Sequence, residues 1–514
     1  MHTRQHLARL VIGIWSIALV MLSVATAQEG ANAQPSGEIR IAIPTEPVNL
    51  DPRLGTDSNS QYVQELVYSS LLRIGGNLEP VPDLAESWEN PAPERYIFHL
   101  REGVEFHDGV EVTAEDVKYT FDTLRDPEFG SSFAANYNAV QEINVIDDYT
   151  VEFVLDSPFA PFLYYMNPGI VPRHLAEDEG HNLQSEPVGS GPFEMTEWRR
   201  GESVTLEANV DYFEGAPRVE RIVLVPIPET TVRLLELETG NVDMAIGIPN
   251  ENIQAIRENP ELAIAEGGAA AFHVMAFQNE RAPFDDPLVR RALVHAIDKE
   301  GIVEHVYYGL FPPAHTPIVP TSWAHDSTVS QYDYDPERAR ELLEEAGVDP
   351  EELSITLHTW NRDAEVQIAT IMQNQLEQIG IDASVSVKEF AAFRDDINSG
   401  NYDILIMGFG RQTDPDSHLY THFHSNQVPP AGVNRWRFSN ERVDELLEQA
   451  RVEVDQEVRK EMYQEIQQII ASDVPYTPLQ YTTIFLAYNA DLQNVTYPTY
   501  LRLFDLAKNA YWAE

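Results

Sequence analysis

Asp403-Ile404-Leu405-Ile406-Met407-Gly408-Phe409-Gly410-Arg411-Gln412-Thr413-Asp414-Pro415-Asp416 is the stretch whose reading decides the fold. Asp403 to Met407 is a short apolar run bounded by glycines, the pattern of a buried strand rather than of an amphipathic helix. Similar runs recur along the chain: Arg221 to Ile227, Val242 to Ile246, Ile355 to His358 and Ala383 to Val387. Helical patterns separate them. Asp286-Pro287 opens one, with Leu288, Val289, Ala292, Leu293, Ala296 and Ile297 on a single face. Asp335-Pro336 opens another, which runs through Ala339, Leu342 and Leu343 to Gly347, with proline at its first turn and glycine past its end. Thr113-Ala114-Glu115-Asp116 has capping-box form ahead of Val117, Phe121 and Leu124. Two further helices are predicted near 439–453 and 455–471. Strands alternating with helices in this order predict α/β layers with mainly parallel sheets, and ligands in such sheets sit at the C-terminal ends of strands. The Gly408–Asp416 segment therefore becomes the first candidate for a site.

Composition bounds what that site can be. The chain has 514 residues, no cysteine, and 34 Lys+Arg against 83 Asp+Glu, for a formal charge of −49. Disulfide scaffolds and Cys-ligated metal centres are excluded. Nucleic-acid binding is not expected, since it requires clustered cations. At roughly 100–200 residues per domain the length predicts two or three domains. With 43% apolar residues the chain is not a disordered acidic tail. Such dense like charge is best tolerated where salt screens it over a few ångströms, as at about 1 M, so exposure to brine is expected.

The first 36 residues read as an address. Arg4 and Arg9 precede an apolar run, Leu10 to Ala25, and small-x-small sites follow at Ala25-Thr26-Ala27 and Ala31-Asn32-Ala33. This is the layout of a cleaved secretory signal. The run falls short of the roughly 20 residues of a membrane span, although a retained N-terminal anchor is the alternative. Without cysteine there is no lipobox, so the mature chain is expected to be periplasmic or extracellular and not a lipoprotein. Removing residues 1–36 leaves it one unit more negative, at −50.

Several further stretches occur in a telling order. They are Asn49-Leu50-Asp51-Pro52, then Pro82-Asp83-Leu84-Ala85-Glu86-Ser87-Trp88-Glu89, then Tyr96 to Gly109 (YIFHLREGVEFHDG), then Val188-Gly189-Ser190-Gly191-Pro192-Phe193, and finally Asp285-Asp286-Pro287-Leu288-Val289-Arg290-Arg291-Ala292-Leu293. In order and spacing the chain resembles the family 5 extracellular solute-binding proteins, the peptide-, oligopeptide- and nickel-binding receptors of ABC importers, over essentially all of 38–512. The resemblance implies an α/β, bilobal type II periplasmic-binding-protein fold with an additional domain and two chain crossings at the hinge, near 272–279 and 478–484. It implies a discontinuous domain I (37–56, 187–272 and 482–514), an extra domain II (57–186) and a second ligand-binding lobe, domain III (273–481). The receptor would close over its ligand and dock on a permease, usually as a monomer.

Site residues follow from the resemblance. Gly408 and Gly410 let a ligand main chain approach, so that the Met407–Gly410 backbone, with Phe409, pairs with an extended peptide as an added strand. Peptide-binding relatives carry an Asp three positions before the acidic-Pro pair, where it holds the ligand's α-amino group. Here that position is Arg411. Arg411 either pairs with Asp414 or Asp416 and leaves an amine site intact, binds a ligand anion through its guanidinium fork, or lies outside the pocket. Phe133 takes the place of a pocket aromatic. Thr56 and Ser58 lie on the opposite rim, Tyr481 beside the second crossing, and Trp360 and Phe390 are candidates for stacking, whereas Trp88 and Trp198 are read as core. Asp416, His418, His422 and His424 form a dense cluster. On a helix His418 and His422 would share a face suited to zinc or nickel, but polar surface histidines are the weightier reading, and no metal or other cofactor is expected.

The leading functional expectation is a non-catalytic receptor for di- or oligopeptides. Oligosaccharides and nickel or a nickel chelate are the alternatives within that role. A secreted hydrolase is the remote one, since the sequence has no GxSxG elbow, P-loop or HExxH.

Overall fold

The computed structural model describes residues 35–410, 413–496 and 503–513. The leader therefore lies outside the described residues except for Pro35 and Ser36, and so does Arg411.

One ten-stranded sheet organises the chain. Its order is Asp382–Lys388, Ser354–Trp360, Ile404–Phe409, Leu262–Phe277, Tyr476–Asn489, Met244–Ile246, Glu38–Ile43, Arg221–Pro226, Ser203–Ala208, Phe193–Arg199. The short runs read as strands from their apolar composition are all in it. Each half holds a parallel group: Ser354–Trp360 pairs with both Asp382–Lys388 and Ile404–Phe409, and Glu38–Ile43 with both Arg221–Pro226 and Met244–Ile246, beyond which Ser203–Ala208 and Phe193–Arg199 add on antiparallel. Between the groups run two long antiparallel strands, Leu262–Phe277 and Tyr476–Asn489, paired from Leu262↔Asn489 to Ala276↔Tyr476. The expectation of mainly parallel pairing thus needs correction, for the sheet is mixed. The long central strands carry glycine and polar residues, which weaken the period-two signal, and their pairing partners lie some two hundred residues away in sequence. Their ladder is irregular between Gly268 and Phe272 and again between His273 and Val274.

A second sheet, antiparallel, lies wholly inside 85–155 with the order Ala85–Ala92, Arg95–Leu100, Thr150–Leu155, Val140–Asp147. It is covered by the helix Ala114–Arg125, whose Thr113 N and Oγ1 both donate to the Asp116 carboxylate. Phe98, Phe121, Phe153 and Phe162 fill its core in edge-on and tilted contacts, the arrangement that ring quadrupoles favour.

Helix starts match their local chemistry. Asp286 accepts from Leu288 N ahead of Pro287–His295, and Asp335 from Arg338 N ahead of Pro336–Glu345, which stops before Gly347 at φ 69°. The helices predicted near 439–453 and 455–471 run Glu441–Val452 and Gln456–Asp473. The Val188–Phe193 stretch owes its glycines to packing. Gly191 N donates to Val67 O at 2.8 Å, where the helix Ser58–Val67 ends. A Cβ at Gly191 would lie 2.5 Å from Leu66 O, and one at Gly189 2.1 Å from Val67 O.

Candidate functional site

A cavity of about 920 Å³ opens between two parts of the chain, residues 52–169 on one side and 413–452 on the other. This volume falls in the range of small-molecule sites, about 300–1,000 Å³. One wall is built from the helix Ser58–Val67, Phe133 with the 3-10 turn Ala134–Tyr137, and Phe159 to Gly169. The other is built from Thr413, the helix Pro415–Phe423 and the end of the helix Glu441–Val452. Contacts beside the cavity link its two sides. Trp323 Nε1 donates to Tyr164 OH at 2.8 Å and Gln456 Nε2 to Glu79 Oε1 at 3.0 Å.

The structure sorts the residues singled out in the sequence. Ser58, Phe133 and Asp416 line the cavity. Thr56 does not, although its neighbours Gly55 and Ser58 do, and its carbonyl accepts from Gln61 Nε2 at 3.4 Å. Asp414 is 1% exposed; both its oxygens accept from Arg459 Nη2 at 2.9 Å, and Oδ1 also caps the helix by accepting from Asp416 N. Asp416 faces Arg451, with Nε to Oδ1 at 3.2 Å. Each of these carboxylates has an arginine on another helix, while Arg411, whose pairing with them was one expectation, lies outside the described residues.

Trp360 and Phe390 pack on one another at 5.0 Å between ring centroids, with the Arg362 guanidinium over Trp360, and neither belongs to the cavity lining. Tyr481 is core: it is 6% exposed and its hydroxyl donates to Thr316 O at 3.0 Å. Met407 and Phe409 pack against the same apolar cluster. A Cβ at Gly408 would meet His273 Nε2 at 3.0 Å, while Gly410 is exposed. Pairing of Ile404–Phe409 with Ser354–Trp360 stops at His358↔Leu405, so on that side Met407 to Phe409 has no strand neighbour. On the other side it is paired, through His273↔Gly408 and Phe272↔Phe409.

The histidines form no metal centre with Asp416. On the helix Pro415–Phe423 the His418 and His422 rings do share a face, but they stack at 4.3 Å, and His422 stacks in turn on Trp436. His418 Nε2 meets Tyr476 OH at 2.8 Å, and His422 Nδ1 lies 3.0 Å from His418 O. Burial pushes His418 well below its ordinary range, with His422 adding to the effect, and pushes His422 down to about 3, so both are neutral packing rings. His424 turns away to Glu448, and its Nδ1 accepts from Asn426 N. No group of three potential ligands is assembled among the described residues.

Several cavity residues carried no local signal in the sequence, among them Tyr62, Phe159, Tyr164, Tyr165, Tyr420 and Arg451. Phe162-Leu163-Tyr164-Tyr165 is the one aromatic run that could have been flagged.

A mixed sheet with two long strands joining two parallel groups is the architecture of type II periplasmic binding proteins. Residues 79–429 match the bacterial extracellular solute-binding proteins, family 5, and the chain belongs to that family. It is 30% identical to di/tripeptide-binding protein 2 of Pseudomonas aeruginosa over 93% of this chain and 95% of that one. It is 28% identical to the oligopeptide-binding protein AppA of Bacillus subtilis over 98% and 99% of the two chains. The solved structure of AppA in complex with a nonapeptide superposes with a TM-score of 0.74, covering 94% of this chain and 100% of that one. NikZ from Campylobacter jejuni, solved in complex with Ni(L-His), superposes equally well at 28% identity, covering 91% and 96%.

Proposed function

We propose that this protein is an exported, non-catalytic receptor that captures di- or oligopeptides between two lobes and delivers them to the permease of an ABC importer. The observation that carries the reading is the cavity of about 920 Å³ shared by 52–169 and 413–452 in a chain of this family. The relatives named for oligopeptides and di/tripeptides, aligned over almost their whole length, favour peptides over sugars. The buried, mutually stacked histidines favour them over nickel.

In this reading domain I comprises 37–56, 187–272 and 482–514, domain II 57–186 and domain III 273–481. The hinge lies at the crossings near 272–279 and 478–484, and this reading is supported by the break in the ladder between His273 and Val274. The edge of Met407 to Phe409 that faces away from Leu262–Phe277 lies outside the cavity lining and takes the ligand main chain as an added strand, and closure is selected by contacts that both lobes make together. The receptor acts as a monomer after its leader is removed, and no helix among the described residues is long and apolar enough to cross a membrane.

Native mass spectrometry of protein purified without denaturation tests this directly. A retained mixture of short peptides is expected. A sugar or a nickel chelate as the sole retained species overturns the peptide assignment.

A further inference from the structure

The cavity is lined by two arginines among the described residues, Arg73 and Arg451, and no lysine. Arg73 is already committed. Its Nη2 donates to Glu214 at 2.9 Å, its Nε lies 3.7 Å from Asp83, and its guanidinium covers the Phe504 ring at 4.3 Å. Arg451 is held differently. Its guanidinium is seated over Tyr420 at 3.9 Å and over Phe159 at 5.2 Å, one ring from each wall. Among the described residues the one carboxylate within 4 Å of it is Asp416, at 3.2 Å from Nε, with Glu448 one helical turn before it also in the cavity lining, and neither that nitrogen nor Oδ1 of Asp416 makes a hydrogen bond. Nε is buried, while the side chain as a whole keeps 32% exposure and lines the cavity, so the rest of the fork faces the open space.

Asp416 neutralises this charge poorly. It is 3% exposed and lacks a hydrogen bond to Oδ1, and burial pushes its carboxyl up to about 7. A guanidinium clamped between two rings, oriented and partly desolvated, with unused donors, is suited to a planar two-oxygen anion. The chain carries −49 overall, which repels anions at long range. An anionic ligand group is thus stabilised only at such a local cation.

We propose that Arg451 receives a carboxylate of the bound ligand, held between Phe159 and Tyr420. This rests on the peptide reading, and it adds that the preferred peptides are those presenting a free C-terminal carboxylate or an acidic side chain toward the wall at 413–452. Since Phe159 and Tyr420 belong to opposite walls, the site is complete only when the walls meet, so the same contact favours closure.

The test uses the whole protein and three random pentapeptide libraries: free acids, C-terminal amides, and C-terminal amides lacking Asp and Glu. Retention is read by native mass spectrometry. The wild type is expected to retain the free acids at least about tenfold over the amides lacking acidic residues. Arg451→Gln should lose that preference while still retaining the amides, and Arg451→Lys, which keeps the charge without the fork, should keep part of it. Amides containing Asp or Glu that are retained as well as the free acids identify the side chain as the source of the carboxylate; if they are not, the C-terminus is the source. Libraries retained without preference by the wild type, or a preference that survives Arg451→Gln, overturn the role of Arg451 and leave the peptide reading standing. Failure of the wild type to retain any library overturns both.

Discussion

Lys299 is buried at 7% exposure with no carboxylate beside it among the described residues; its ammonium donates to Thr477 Oγ1 at 2.7 Å and Ala314 O at 3.4 Å. Burial pushes its pKa down to about 7 from 10.5. Between those values the unfolded chain binds a proton that the folded one does not, so this residue makes stability rise with pH from about 7 to 10.5, and its cost is full below 7. Lys299→Met should therefore raise the melting temperature at pH 7 and below, and flatten its rise toward pH 10; parallel wild-type and variant profiles would refute this. Arg459 is the opposite case. It is the sole arginine on Asp414 among the described residues, both groups being buried, so Arg459→Met leaves a carboxylate without that partner. The expected loss is about 3–5 kcal/mol, read as a lowered urea midpoint. The residue scale also marks how far sequence reasoning reached. Asp414 and Asp416 stood out because their Pro-flanked motif is contiguous. Arg459 and Arg451 did not, since each sits on another helix in a sequence of ordinary charged surface, and only folding turns it toward its partner.

Helix boundaries were legible because their causes are local. Asp286 and Asp335 cap within two or three residues of themselves, and Gly347 ends its helix with its own dihedral. The long strands Leu262–Phe277 and Tyr476–Asn489 were not, because their stability comes from each other across the chain. The Val188–Phe193 stretch lies between these cases, with glycines visible in the sequence and their reason visible in the packing. Gly191→Ala would drive Cβ into the backbone at Leu66 and Val67, and overpacking of this kind costs about 1–3 kcal/mol. Gly76→Ala, with nothing within 4 Å of the added carbon, is the matched control. A melting temperature falling by several degrees in the first variant and holding in the second is the expected outcome. Equal behaviour would show that the Ser58–Val67 helix end yields to the methyl group.

At the scale of the whole molecule, closure in the proposed receptor would draw on contacts such as Trp323 Nε1 to Tyr164 OH. Tyr164→Phe removes an acceptor worth about 1 kcal/mol, so retained peptides should bind roughly fivefold more weakly and small-angle scattering of the ligand-free variant should give a larger radius of gyration. An unchanged radius would remove this pair from the closing contacts. The net charge of −49 acts on the same scale. Self-repulsion screened by salt predicts a melting temperature that rises between 0.05 M and about 1 M KCl, and a flat profile would contradict it. By itself the sequence determined what local chemistry specifies: the short buried strands, the capped helices, the order of family stretches and thus the kind of receptor. The tertiary structure decided which side chains share a cavity. It placed Ser58, Phe133 and Asp416 there, sent Trp360, Phe390 and Tyr481 elsewhere, and brought Arg451 between Phe159 and Tyr420. The physical reason is that a cavity wall is assembled from segments hundreds of residues apart, whose orientation is set by the pairing of two central strands and by packing, and no short window of sequence contains either.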